Sequence, residues 1–97
     1  MVRCFELIVE GRVQGVGFRN FAYNRAVKHN ITGYVKNTYE GNVKIVCMGH
    51  EADLDKFIDE MKKGPYLSYV SNIRIKESGT DENFNDFEIR FGYNDNE

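Results

Sequence analysis

The chain has 97 residues, of which 41% are hydrophobic and 13% aromatic, and its formal net charge is −2. This size and apolar content suit one folded domain, so we expect a single domain over residues 1–97 and exclude a disordered chain. The 13 Lys and Arg are dispersed among 15 Asp and Glu, which argues against the basic face of a general nucleic-acid binder.

The chain starts with a predicted strand and a predicted helix. Residues 2–10 alternate between two faces, which is the period of a half-buried strand. From Phe18 the apolar spacing becomes helical and continues to about His29. Asn30 then suits a helix end, because Asn tolerates a left-handed backbone. The stripe that this helix presents to the core consists of Phe18, Phe21, Ala22 and Ala26.

A hairpin and a second helix follow. Residues 31–38 and 42–49 are rich in β-branched and aromatic residues, and the turn between them predicts a positive φ at Gly41. Residues 51–63 have helical spacing, with acidic residues early and basic residues late, and Gly64 ends this helix. Its apolar stripe consists of Leu54, Phe57, Ile58 and Met61.

The last third predicts two strands joined by a polar loop. Residues 69–77 alternate as a strand with one wet face, 78–86 form the loop, 86–91 a short last strand, and 92–97 a frayed tail. In the first of these strands the inner set is Tyr69, Ser71, Ile73 and Ile75. The order β-α-β-β-α-β with a short final strand predicts an α+β, ferredoxin-like sandwich, an antiparallel sheet with both helices on one face.

The two cysteines do not form a recognisable metal or disulfide pattern. Cys4 and Cys47 are too few and too far apart for a zinc site. If Leu7 faces the helices, Cys4 points to the opposite face from Cys47, so we expect two buried free thiols and no disulfide. His29 and His50 have no nearby ligand set and are interpreted as surface or capping residues. We therefore expect no metal and no cofactor.

No leader or membrane segment is predicted. Residues 1–12 carry four charged side chains and lack the apolar run of a signal peptide. No stretch approaches the roughly 20 apolar residues that a membrane span requires. We expect a soluble, cytoplasmic protein without a membrane partner, and a monomer is the default.

The segment GRVQGVGFRN, residues 11–20, joins the first strand to the first helix and suits an anion. Backbone N–H groups at such a junction lack partners and lie at the positive end of the helix dipole. Gly15 and Gly17 let the backbone curl around an oxyanion, and Arg19 adds a fork of donors for phosphate oxygens. From spacing alone, a plain turn with a solvated Arg19 is an equal alternative. Neither a Walker A loop nor a dinucleotide loop fits, since Asn20 stands in place of the third glycine.

Asn37 is a second candidate, at the end of the second predicted strand. In an interlocked sandwich this strand end can approach the loop after the first strand. A carboxamide both donates and accepts hydrogen bonds and can therefore orient a water. Ordinary turn chemistry is the alternative interpretation.

GRVQGVGFRN, together with Asn37 in GYVKNTYEG, closely resembles the acylphosphatase family, and the resemblance extends over almost the whole chain to the closing FEIRF. It implies the ferredoxin-like fold and metal-free hydrolysis of acyl phosphates to a carboxylate and inorganic phosphate. By this resemblance Arg19 binds the phosphoryl group and Asn37 positions the attacking water. The implied phosphate cradle consists of the backbone amides of Gln14, Gly15, Val16, Gly17 and Phe18, together with Arg19.

The chain departs from the family pattern in two places. Glu40 stands where the family often has Asp, a change that a turn should tolerate. The chain also continues beyond its last strand to Glu97, so where a family member's terminal carboxylate pairs with the arginine, the partner of Arg19 must differ.

Two alternatives stay open at this point. One is a phosphate or carbamoyl-phosphate binding domain without turnover, because acylphosphatase-like domains occur within larger maturation proteins. The other is a ferredoxin-like interaction or RNA-binding module, against which Glu6 and Glu10 on the open face of the first strand argue.

Overall fold

Two helices pack on a five-stranded sheet in the computed structural model, which describes residues 1–80 and 82–92. The remaining residues of the predicted frayed tail, 93–97, lie outside the described residues. The elements in chain order are β1 (Val2–Arg12), α1 (Phe18–Lys28), β2 (Thr32–Asn37), β3 (Val43–His50), α2 (Glu51–Lys63), β4 (Tyr69–Ser78) and β5 (Phe87–Ile89).

The strand order in the sheet is β4-β1-β3-β2-β5. The first four strands of this order pair antiparallel, which confirms the predicted ferredoxin-like sandwich. The prediction of a wholly antiparallel sheet is wrong at one edge, because β5 runs parallel to β2. The chain has to cross from β4 at one edge to β2 at the other before β5 begins. Phe84 in the crossing loop packs edge-on against Tyr34 of β2, with ring centroids 6.2 Å apart.

The core lies between the sheet and the two helices. Leu7 pairs with Ile45 and with Ile75, which places these three side chains on the helix-facing side of the sheet. The predicted helix stripes meet them there, and among the stripe residues Phe21 alone is only partly buried. The buried members of these stripes are Phe18, Ala22, Ala26, Leu54, Phe57, Ile58 and Met61.

A β-bulge near the start of β4 changes which of its side chains face the core. Glu10 pairs with Asn72 but Gly11 pairs with Val70, so that Ser71 is the extra residue. The prediction that Tyr69 faces inward is therefore wrong: Val70 packs against the core instead, and Tyr69 is 68% exposed. A Cβ at Gly11 would lie 2.1 Å from the carbonyl oxygen of Tyr69, so this close approach requires glycine.

The predicted turn and helix ends are confirmed by the backbone. Asn30, Gly41 and Gly64 have φ angles of 58°, 92° and 70°. Helix α1 ends at Lys28, one residue earlier than predicted, and α2 has the predicted bounds. At 11 and 13 residues, neither described helix is long enough to cross a lipid bilayer.

Cys4 and Cys47 are both buried and both free. Cys47 pairs with Phe5 and Cys4 with Met48, so the two thiols point to opposite faces of the sheet, as expected. Burial raises the pKa of the Cys47 thiol to about 12, and burial also raises the pKa of Cys4.

Candidate active site

A cleft of about 190 Å³ opens at the N-terminal end of α1. Three parts of the chain form it: the loop between β1 and α1, the last residue of β2, and the segment around β5. Its lining residues are Val13, Gly15, Gly17, Phe18, Arg19, Asn20, Asn37, Ile89 and Phe91.

The loop between β1 and α1 presents backbone donors to this cleft. Gly15 and Gly17 have left-handed backbones, with φ angles of 73° and 79°, and Gly17 is the N-cap of α1 without a side-chain cap. Within the described residues, the backbone N–H groups of residues 15–19 donate no hydrogen bond to any other residue. The first turn of α1 also contains no acidic residue. Unpaired donors at a positive helix end form an anion-binding concavity.

Arg19 lies in the first turn of α1 and is half-buried. Its guanidinium carbon lies 4.9 Å from the centroid of the Phe91 ring. Within residues 1–80 and 82–92, no carboxylate pairs with Arg19. Its N–H groups are therefore available to an anion in the cleft.

Asn37 is the last residue of β2, where it pairs with Val43 of β3. The turn that follows is held by the buried Thr38, whose hydroxyl accepts a hydrogen bond from the N–H of Asn42 at 3.1 Å. Because Asn37 is fixed between the strand pairing and this turn, its carboxamide is held at the edge of the cleft.

Gln14 connects the loop to that same turn. Its side-chain amide donates to the carbonyl oxygens of Thr38 and Asn42, each at 2.8 Å. The family resemblance implies the backbone amide of Gln14 as part of the phosphate cradle, and the side chain of Gln14 does not line the cleft. Its side chain instead fixes the glycine loop relative to the strand end that carries Asn37.

Val16 and Phe18 attach the loop to the hydrophobic core. Val16 packs against the core, and Phe18 is 2% exposed, with its ring edge-on to Phe21 at 5.9 Å. The structure thus brings Gly15, Gly17 and Phe18 of the predicted cradle to the cleft, together with Arg19 and Asn37. The side chain of Val16, like that of Gln14, lies away from it.

Sequence reasoning missed four lining residues, namely Val13, Asn20, Ile89 and Phe91. Asn20 ends the GRVQGVGFRN segment, so its position in the first helical turn was a usable signal. Ile89 and Phe91 alternate with Phe87 in the sequence, and this spacing predicts that all three face the core. Only the parallel pairing of β5 with β2 carries them to the cleft.

The histidines occupy capping positions, as predicted. His29 is the C-cap of α1 and His50 the N-cap of α2. The imidazole of His29 is largely buried against the carboxylate of Glu60, which also accepts from Arg25 at 2.5 Å. The hydrogen bond from His29, followed by that from Arg25, lowers the pKa of Glu60. No group of three or more His, Cys, Asp or Glu in the described part of the chain is arranged to hold a metal.

Comparison with known proteins finds relatives over most of the chain. The family model described as acylphosphatase matches residues 5–89. An acylphosphatase of Archaeoglobus fulgidus is 43% identical over 86 residues, which are 89% of this chain and 96% of that protein. An acylphosphatase of Geobacillus thermodenitrificans is 40% identical over 86 residues, covering 89% and 92% of the two chains. The crystal structure of acylphosphatase from Bacillus subtilis is similar at a TM-score of 0.88 and 40% identity, over 93% of this chain and 99% of that one. The chain therefore belongs to the acylphosphatase family.

Proposed function

We propose that the cleft at the N-terminal end of α1 is the active site for acyl phosphate hydrolysis, with Arg19 holding the phosphoryl group and Asn37 positioning the water. Hydrolysis of acyl phosphates is the activity of the family to which the chain belongs, and the roles of Arg19 and Asn37 are those that the family resemblance implies. One observation carries this proposal: a guanidinium, a carboxamide and a row of unpaired N–H groups line one cleft, and none of its described lining residues has a carboxylate.

Binding of the phosphoryl group follows from charge and geometry. The N–H groups of residues 15–19 and the helix dipole attract the phosphate oxygens, and Arg19 adds charge-assisted hydrogen bonds. Each hydrogen bond to a charged group contributes about 1.5–3 kcal/mol. The anchor and the cradle belong to one helix start, so they are positioned together before the substrate arrives.

The reaction exchanges one oxygen on phosphorus for another. The oxygen of a water, held by the carboxamide of Asn37, attacks the phosphorus. The bond from phosphorus to the carboxylate oxygen breaks, and the carboxylate leaves with the electron pair. The water proton passes to a phosphate oxygen, since the described lining contains no Asp, Glu or His to accept it. The products are a carboxylate and inorganic phosphate.

Positioning and charge stabilisation are sufficient for this substrate class. A carboxylate is already a good leaving group, so the cradle has only to align the water and stabilise the charge on the phosphoryl oxygens. We therefore propose that hydrolysis needs no metal and no cofactor, and that the partners are limited to acyl phosphate and inorganic phosphate.

The open face of the sheet supports a protein without a nucleic-acid partner. Lys44 lies 3.9 Å from Glu6, and Arg74 lies 3.3 Å from Glu10. These pairs balance charge on the face where an RNA-binding module needs exposed aromatics and excess positive charge. A monomeric, cytoplasmic enzyme remains a prediction from the sequence.

The proposal is tested by hydrolysis of benzoyl phosphate in excess EDTA. We expect wild-type turnover, and a loss of about 10²–10³-fold in kcat/KM for Arg19→Ala, as for removal of one charge-stabilising donor. Asn37→Ala should lower kcat to a similar extent while the inhibition constant of phosphate stays within about threefold, since its role is in the reaction and not in binding. Arg74→Ala and Asn72→Ala are matched controls on β4, and both should retain activity.

Two outcomes contradict parts of this proposal. Normal kcat in Asn37→Ala would remove the water-positioning role. No turnover in the wild type, with phosphate still raising its melting temperature, would favour the binding domain without turnover.

A further inference from the structure

The ring of Phe91 lies against the guanidinium of Arg19. We propose that Phe91 is the positioning residue for Arg19, holding its guanidinium toward the cleft before phosphate binds. This role rests on the proposed function of Arg19. The sequence motifs do not assign it, and residue 91 lies beyond the segment matched by the family model, which ends at residue 89.

The fold brings Phe91 to the cleft through β5. Val35 of β2 pairs with Ile89, and the N–H of Arg90 donates to the carbonyl oxygen of Val35 at 2.9 Å. Phe87 is buried and Ile89 is packed against the core, so alternation directs residue 91 to the same side. The strand therefore delivers an aromatic ring to the first turn of α1, where Arg19 lies.

Arg19 differs from the other arginines that lie over rings. Four described arginines do so, at 3.8–5.1 Å from a ring centroid. Within the described residues, Arg19 is the one of these four that has no carboxylate partner. The other three pairings are Arg3 with Glu51 and Glu77, Arg25 with Glu60, and Arg90 with Glu88.

A ring and a carboxylate have different consequences for a phosphate-binding arginine. A carboxylate would occupy the N–H donors of Arg19 and neutralise its charge. An aromatic ring attracts the cation through its electron-rich face and offers no hydrogen-bond acceptor that competes with phosphate. Phe91 can therefore orient Arg19 while its donors remain free for the substrate.

The exposure of Phe91 separates this role from core packing. Its side chain is 69% exposed, whereas Phe87 on the same face is 5% exposed. A ring left mostly in water contributes little to the core, so substitutions at residue 91 should leave the fold intact.

The test compares Phe91→Leu, which keeps an apolar side chain but removes the ring, with Phe91→Tyr, which keeps the ring. In Phe91→Leu the inhibition constant of phosphate and the KM for benzoyl phosphate should both rise about two- to tenfold. The kcat should change less than about twofold, because bound phosphate itself orients the guanidinium. Phe91→Tyr should leave the inhibition constant and the KM at their wild-type values. Tyr66→Leu, at a 99% exposed aromatic in the loop before β4, is the matched control.

A direct readout on Arg19 does not depend on activity. The NMR order parameter of the Arg19 Nε–H group in the phosphate-free protein should fall in Phe91→Leu and stay at the wild-type value in Phe91→Tyr. In an Arg19→Gln background, Phe91→Leu should cause no further change in phosphate affinity, followed by NMR titration of the loop amides.

Three results would overturn the proposal. They are an unchanged order parameter of Arg19, an unchanged inhibition constant, or an equal loss of affinity in the Arg19→Gln background. The proposal would also fail if the ratio of benzoyl to acetyl phosphate turnover shifts while the inhibition constant of phosphate stays unchanged. Phe91 would then contact the acyl group instead of positioning Arg19. If the wild type hydrolyses nothing, the proposed function fails, and the order parameter still decides the role of Phe91.

Discussion

At Gly15 the backbone has a φ of 73°, and a Cβ built there would meet no atom within 4 Å. Glycine is therefore required by conformation and not by space. A left-handed backbone costs a residue with a Cβ about 1–2 kcal/mol. The loop can relieve this strain by turning, which would rotate its N–H groups away from the cleft.

We expect Gly15→Ala to lower the free energy of unfolding by about 1 kcal/mol and to weaken phosphate binding. Urea unfolding and phosphate inhibition measure the two effects. Gly41→Ala is the matched control: its φ is 92°, a Cβ there also meets nothing within 4 Å, and it lies in the hairpin turn. Gly41→Ala should lower the free energy of unfolding but keep the phosphate affinity within about twofold of the wild-type value. Unchanged phosphate affinity in Gly15→Ala would contradict the backbone cradle.

At the scale of elements, one carboxylate joins the two helices. Glu60 of α2 accepts hydrogen bonds from Arg25 and His29 at the end of α1. These contacts lower the pKa of Glu60 in the folded protein. Its contribution to stability is therefore complete above the unfolded pKa of Glu, about 4.3, and is lost as the pH falls through the lower folded value.

Glu60→Gln should lower the free energy of unfolding at pH 7 by about 1 kcal/mol, since it weakens two hydrogen bonds to a charged group. The difference from wild type should shrink toward zero as the pH falls below about 4. Urea unfolding at a series of pH values measures this. Asp59→Asn, at the exposed neighbouring position on α2, controls for the loss of one negative charge. A difference that stays constant with pH would assign the effect to packing.

The elements also show where prediction from sequence succeeds and fails. Periodicity located both helices and the first four strands, because the buried face of an element repeats along its own chain. It misplaced Tyr69, because the bulge opposite Gly11 depends on pairing between β1 and β4. The predicted antiparallel sheet is wrong at β5, because the direction of this short strand is set by the crossing loop that carries it to β2.

For the molecule as a whole, the labelling rates of the two buried thiols measure how the fold opens. Cys47 is 0% exposed in β3, and burial raises its pKa to about 12. Cys4 is 3% exposed on the other face of the sheet. Burial and the negative charge of Glu82, in the loop that crosses to β5, raise the pKa of Cys4.

We expect iodoacetamide to label Cys47 in the native protein at least about 10³-fold more slowly than in urea, because its thiolate forms only after global unfolding. Cys4 should react before Cys47, since opening of the crossing loop is sufficient to expose it. Pulsed labelling followed by mass spectrometry of the two peptides measures both rates. Equal rates would show that the loop opens only together with the whole sheet.

The sequence by itself determined the family, the ferredoxin-like order of elements and the main candidates for the site. Gly15, Gly17 and Arg19 could be identified because anion binding at a helix start depends on residues close together in the chain. Asn37 could be identified from its place at the end of the second predicted strand and from the family resemblance. The tertiary structure decided what surrounds them. Two kinds of contact join segments that are far apart in the sequence. They are the hydrogen bonds from Gln14 to the turn after Asn37 and the contact of the Phe91 ring with Arg19. Strand register and direction set such contacts, and local side-chain patterns do not specify either one.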